Sequence, residues 1–177
     1  EVKRIDGFAD RVVALTFSPD NKLLATAGGA PTEDGEVKIF DVATGKQLLD
    51  IKGAHSDTAF GVSFSPDGKM LASCGADKFV KIFEVPSGKA VKSFEGHTHH
   101  VMDVAWKNDG KFLASAGADN AIKVWDFEKG EQARTIAGHT KQISRLQFVG
   151  VTPQFITCSG DKSMRIWNVD TGGAVKT

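Results

Sequence analysis

The sequence predicts an all-β chain of four tandem units, each a meander of four antiparallel strands. Two spacings in phase and one compositional pattern carry that expectation. The aromatic that closes the first apolar run of each unit falls at Phe17, Phe64, Trp106 and Phe148, at intervals of 47, 42 and 42 residues. The second apolar run returns with the same period as Val37-Lys38-Ile39-Phe40, Val80-Lys81-Ile82-Phe83, Ile122-Lys123-Val124-Trp125 and Met164-Arg165-Ile166-Trp167. Every run is short, rich in β-branched and aromatic residues and bounded by turn formers, and helical spacing never persists.

In chain order, the first unit reads as strands at Val12 to Phe17, Leu23 to Ala27, Val37 to Phe40 and Gln47 to Ile51. Ser18-Pro19-Asp20-Asn21, Ser65-Pro66-Asp67-Gly68 and Lys107-Asn108-Asp109-Gly110 supply one set of turns. Pro presets φ, Asp bonds its own backbone, and Gly or Asn accepts positive φ. Thr44-Gly45, Ser87-Gly88, Lys129-Gly130 and Thr171-Gly172-Gly173 mark a second set. The units span about 8–51, 53–94, 96–136 and 138–177 of a single repeat domain covering 1–177. Each meander is apolar on both faces, so it must stack on its neighbours. The first unit carries a longer loop, Ala30-Pro31-Thr32-Glu33-Asp34-Gly35-Glu36, with four inserted residues. In the last unit Val149-Gly150-Val151-Thr152-Pro153 replaces the usual polar turn.

The ends repeat as well. Glu1-Val2-Lys3-Arg4-Ile5 matches the outer strand Ala90-Val91-Lys92-Ser93-Phe94, and so does Ala174-Val175-Lys176-Thr177. Residues 1–5 are therefore expected to form an outer strand that completes another unit. The missing initiator Met reads as an excised or processed piece.

Composition narrows the partner. Lys plus Arg equals Asp plus Glu at 22 each, which leaves no basic footprint for phosphate backbones and no acidic tail. The reading is a soluble chain with no nucleic-acid and no membrane partner. No apolar run approaches the roughly 20 residues of a membrane-spanning helix, and Glu1-Val2-Lys3-Arg4 does not open a signal peptide. Cys74 and Cys158 lie 84 residues apart, two repeat lengths, so a whole unit separates them and a disulfide is not expected. Both read as small buried thiols, and the cellular compartment stays open.

Gly96-His97 and Gly138-His139, the Ser-Pro-Asp-Gly turns, Leu113-Ala114-Ser115, Gly117-Ala118-Asp119 and Trp125-Asp126 recur in phase. On these motifs the chain resembles the WD-repeat family of β-propellers across essentially its whole length. The resemblance implies four-stranded blades in a radial ring. The loop before each first strand and the loop between strands two and three share a rim called the top. It also implies a hydrogen-bonded tetrad in each blade. By position these are His97, Ser115, Asp119 and Trp125 in the third blade and His139, Thr157, Asp161 and Trp167 in the fourth. The second keeps His55, Ser73 and Asp77 but has Phe83, which offers no donor. The first has Phe8, Thr26, Ala30 and Phe40, and apolar packing is expected to replace the network.

A converging Ser, His and Asp invites a hydrolase reading. The same trio recurs in consecutive units, sized for mutual satisfaction in a buried network, whereas a nucleophile needs a cleft and an oxyanion hole. No catalytic residue and no cofactor is assigned, and the chain is read as not an enzyme. His97, His99 and His100 form the densest histidine group, but His97 is committed to its tetrad, so no metal is assigned. The family resemblance places partner contacts on the top rim, at the residues flanking each first strand's leading apolar position. Here these are Arg11 and Val13, Thr58 and Phe60, His100 and Met102, and Gln142 and Ser144, with His99 beside them. Phe60 and Met102 offer an apolar anchor, and Glu33, Asp34 and Glu36 an acidic side contact.

Family rings hold about six to eight blades, so four would leave an open arc with an uncovered apolar face at each end. Two chains meeting first blade to last would close an eight-bladed ring as a homodimer, with one chain's amino-terminal strand exchanged onto the other's last blade. The functional expectation is a non-enzymatic scaffold binding a protein or peptide. The alternative is a structural or regulatory part of a larger protein or longer propeller.

Overall fold

The computed structural model describes residues 4–176, and every helix or strand among them is a strand. The first sheet holds β1 (Val12–Phe17), β2 (Leu23–Ala30), β3 (Asp34–Asp41) and β4 (Gln47–Asp50). The second holds β5 (Ala59–Phe64), β6 (Met70–Gly75), β7 (Val80–Glu84) and β8 (Ala90–Phe94). The third holds β9 (Val101–Trp106), β10 (Phe112–Gly117), β11 (Ile122–Asp126) and β12 (Glu131–Ile136). The fourth holds β13 (Ile143–Phe148), β14 (Gln154–Ser159), β15 (Met164–Asn168) and β16 (Ala174–Lys176). Strands are antiparallel and neighbours in chain order, as short turns require. The Ser-Pro-Asp turns close through the serine: Ser65 donates to Asp67 at 2.6 Å while accepting the Met70 amide at 2.9 Å, and Ser18 does the same with Asp20 and Leu23.

The sheets stack in chain order, with β1, β5, β9 and β13 side by side along a concave inner wall. Alternation along these strands sends one set of side chains to the wall and the other into the preceding sheet. Val62 and Phe64 bury against Ala25, Ala27, Val37 and Ile39; Val104 and Trp106 against Ala72, Cys74, Val80 and Ile82; Leu146 against Ala114, Ala116, Ile122 and Val124. Small alanines on the receiving strand leave room for the large residue that arrives, which is how a repeat reaches crystalline packing density. Outer-strand side chains tie successive sheets: Lys92 donates to the Glu128 carbonyl at 3.0 Å, and Arg134 to the carbonyls of Asp170 and Thr171 at 2.7 and 3.0 Å.

The two ends of the stack are uncovered. Leu15 and Phe17 on β1 are 62 % and 50 % exposed, whereas Val62 and Phe64 at the same positions of β5 are each 7 % exposed. On the other end Met164 is 66 % exposed, and Ile156 and Ile166 are half-buried. Cys74 is buried and Cys158 half-buried, both as free thiols. The expectation of two buried thiols fails at Cys158 because no sheet covers that face.

Other expectations need correction. The insertion at Ala30–Glu36 lengthens a hairpin more than it makes a loop, since β2 and β3 pair out to Ala30 opposite Asp34. Its tip leans on the second sheet, with the Thr32 amide on Asp57 at 2.9 Å and the Gly35 amide on the His55 carbonyl at 3.0 Å. Of residues 1–5, expected to complete the outer strand of another unit, Arg4 and Ile5 join none of this chain's own four sheets, and residues 1–3 fall outside the described residues. The outer edge of the fourth sheet is held by the chain's own β16, with Lys176 opposite Ile166.

Candidate functional site

The histidine networks are built where a loop, two strands and a turn of one sheet meet. His97 Nε2 lies 2.8 Å from Ser115 Oγ, which takes the Trp125 indole N–H at 2.8 Å; His97 Nδ1 lies 2.9 Å from Asp119, which also takes the Thr98 amide. An indole only donates and a carboxylate only accepts, so the order runs Trp125 to Ser115 to His97 Nε2, with Nδ1–H turned to Asp119. Burial holds His97 below the usual imidazole value against the pull of Asp119, which suits a neutral ring. The same arrangement joins His139, Thr157, Asp161 and Trp167, at 2.8, 2.7 and 2.8 Å. In the second sheet His55 bridges Ser73 at 2.7 Å and Asp77 at 2.8 Å with no indole present. Burial works to raise the Asp77 carboxyl, but His55, the Phe79 amide and Lys81 prevail and bring it to about 2. These side chains are enclosed, with His55, His97 and His139 all buried.

The first sheet does not substitute apolar packing alone. Phe8 does lie against Phe40, ring centroids 5.6 Å apart, but Lys38 is buried beside them. Its ammonium reaches Glu36 at 2.8 Å and the Gly7 carbonyl at 2.7 Å, and Glu36 also accepts the Ala9 amide. Glu36 is thus a structural partner of Lys38, leaving Glu33 and Asp34 exposed on the rim.

The rim residues share a backbone device. Every inner strand has a register shift of one residue against its neighbour, and the extra residues are Val13, Phe60, Met102 and Ser144. A bulge re-aims the side chain it adds. Just before each bulge the carbonyls of Arg11, Thr58, His100 and Gln142 accept the amides of Gly29, Ala76, Ala118 and Gly160 at 3.1, 2.9, 2.8 and 3.0 Å. Phe60 meets His100 across a sheet boundary with ring centroids 5.9 Å apart, and His99 lies 4.4 Å from His100. Phe60, His100 and Met102 are half-buried, while Arg11, His99 and Gln142 are exposed. Thr58 differs from its counterparts in being buried, next to the Asp57 and Ala59 backbone that the first hairpin approaches.

One residue with unusual chemistry carries no motif of its own in the sequence. Asp103, the residue after the Met102 bulge, turns its carboxylate along the inner wall, accepting the Val104 amide at 3.0 Å and the Leu146 amide at 2.8 Å. Burial raises its carboxyl to about 6 against the effect of those amides and of Arg145. A side chain on Gly61 would strike it, since a Cβ there would stand 2.9 Å from Asp103 Oδ1. The signal was present in the repeat: Ala14, Gly61, Asp103 and Arg145 occupy one register position, and two of the four are charged.

Four meander sheets fanned around a shared inner wall, each stapled by its own polar network, define a β-propeller segment. The chain belongs to the WD domain, G-beta repeat family, whose pattern matches residues 1–41, 45–84, 88–126 and 130–168. It is 31 % identical over 85 residues to WD repeat-containing protein 1 of Xenopus tropicalis, covering 47 % of this chain and 13 % of that protein. It is 29 % identical over 100 residues to the U3 small nucleolar RNA-associated protein 15 homolog of Xenopus laevis, covering 56 % of this chain and 18 % of that protein. Among solved structures, that of U3-55K superposes with a TM-score of 0.88 at 23 % identity, covering 97 % of this chain and 53 % of that one. The RRP9 WD40 repeats give 0.88 at 22 %, covering 97 % and 52 %. The chain thus spans about half the length of those structures and under a fifth of the curated relatives. It is a WD-repeat scaffold.

Proposed function

We propose that this scaffold is non-enzymatic and binds a protein or peptide across the top rim, centred on Phe60, His99, His100 and Met102. Arg11, Gln142, Glu33 and Asp34 lie around that centre as side contacts. The observation that carries the reading is the Phe60–His100 ring contact across two blades, supported on both sides by a bulge. Aromatic and Met side chains held half-buried at a rim supply contact area with little further ordering cost. The test is affinity capture from a source lysate with the wild type and a Phe60→Ala, Met102→Ala pair of equal melting temperature. Unchanged partner recovery would remove the rim from the proposal.

The open ends call for cover by further blades. Two copies could supply it as an eight-bladed ring, the exposed β1 face of one chain on the β14–β15 face of the other, with the amino-terminal segment exchanged in place of β16. A second reading, part of a longer propeller, is favoured by the 53 % and 52 % coverage of the solved structures. Light scattering at micromolar concentration separates them: a dimer mass supports the ring of two chains, and a well-folded monomer removes it.

A further inference from the structure

The inner wall borders a cavity of about 640 Å³ that also reaches Ile156 and Met164 on the uncovered face of the fourth sheet. On this wall β1 and β5 carry small side chains, Ala14, Thr16 and Ser63, while β13 carries Arg145 and Gln147 toward the same space. Both β13 residues are exposed, and among the described residues neither the guanidinium nor the carboxamide has a hydrogen-bond or ion-pair partner. Asp103 and Arg145 do not pair directly; the two Asp103 oxygens accept the Val104 and Leu146 amides instead. An arginine with no partner among the described residues, on a concave wall whose neighbouring strands carry small side chains that leave it room, is open to an anion.

We propose that Arg145 binds a single carboxylate presented by a peptide segment entering the cavity, with Gln147 taking a neighbouring acceptor of that segment. The planar fork of Arg145 matches a carboxylate with two parallel bonds. Gln147, two residues along the same face and roughly 7 Å away, reaches the next acceptor of the same segment. Among the described residues lining the cavity Arg145 is the one cation, so a phosphate backbone, which needs several, finds no track. The Asp103 carboxylate on the adjacent strand repels a doubly charged phosphate more than a singly charged carboxylate. That the carboxylate comes from a peptide rests on the protein-binding reading above; its recognition does not.

The test is a nuclear magnetic resonance titration of the isotope-labelled chain, reading the Arg145 Nε–H and Leu146 amide signals. The probes are N-acetyl-glutamate amide for a side-chain carboxylate, N-acetyl-glutamine for a terminal one, and N-acetyl-glutamine amide as the neutral control. Saturable shifts are expected from a carboxylate probe with a dissociation constant on the order of 1–10 mM, and none from the neutral one. Arg145→Gln should weaken binding at least ~10-fold with the remaining spectrum unchanged, and Arg145→Lys should retain part of it. The Phe60→Ala, Met102→Ala variant should titrate like the wild type, so loss of rim binding and loss of this site are distinguished. Equal shifts from the neutral probe, no saturable shift, or unaltered binding by Arg145→Gln each overturn the proposal. Tighter binding of a short RNA at the same signals overturns the peptide assignment.

Discussion

Asp103 of the third blade accepts the backbone amide of Leu146 in the fourth at 2.8 Å, so a single carboxylate links two blades at the inner wall. Its partner amide belongs to a strand that brings a free arginine to the same wall.

That carboxyl sits at about 6 in the folded chain against an ordinary 3.8. Because the folded value is the higher one, folding disfavours ionisation. The cost is fully present above about pH 6, declines as pH falls through that value and is gone below the unfolded value. Relative to Asp103→Asn, which does not titrate, the wild type should gain on the order of 2–3 kcal/mol between pH 7 and pH 4. Urea unfolding of both proteins across that range checks it; a constant difference would contradict the burial argument.

Ser115 serves two buried partners, whereas Ser73 serves one, because Phe83 stands where Trp125 does. Ser115→Ala should cost about 2–4 kcal/mol and Ser73→Ala about half of that. Chemical denaturation at neutral pH measures the difference, and equal costs would mean that the indole bond adds nothing.

Lys38 and Glu36 form an ion pair with side chains 5 % and 13 % exposed. Lys38→Met alone should cost about 3 kcal/mol by stranding Glu36, and adding Glu36→Gln should recover at least half. A double-mutant cycle by thermal melting tests the coupling; additive losses would show the two act independently.

Leu15 and Leu146 hold the same position in the first and fourth blades, yet Leu15 is 62 % exposed and Leu146 5 %. Leu146→Ala should cost about 3 kcal/mol, and Leu15→Ala less than about 0.5 kcal/mol in the isolated arc. A loss at Leu15 as large as that at Leu146 would show the β1 face covered in solution.

Much of this molecule could be read in advance from residues that repeat. The phase of Phe17, Phe64, Trp106 and Phe148 marks the inner strands, and Ser-Pro-Asp marks turns that Ser18 and Ser65 do close. Glu36, expected as part of an acidic side contact, pairs instead with Lys38, because the hairpin extends to Ala30 and Asp34, and pairing length is set by backbone contacts that no local propensity encodes. Asp103 is not legible in the sequence, because an acid in a strand reads as a solvated face until the neighbouring blade encloses it.

By itself, then, the sequence determined the all-β class, the number of repeats and the order of strands within each, since turn chemistry and apolar period act over a few residues. Tertiary packing alone decided the rest: that Val62 is covered and Leu15 is not, that Thr58 is buried where Arg11 and Gln142 are exposed, and that Asp103 is forced toward neutrality at the wall it shares with Arg145. Those outcomes depend on which blade stands next to which surface, and burial, dielectric and charge pairing are properties of that neighbourhood.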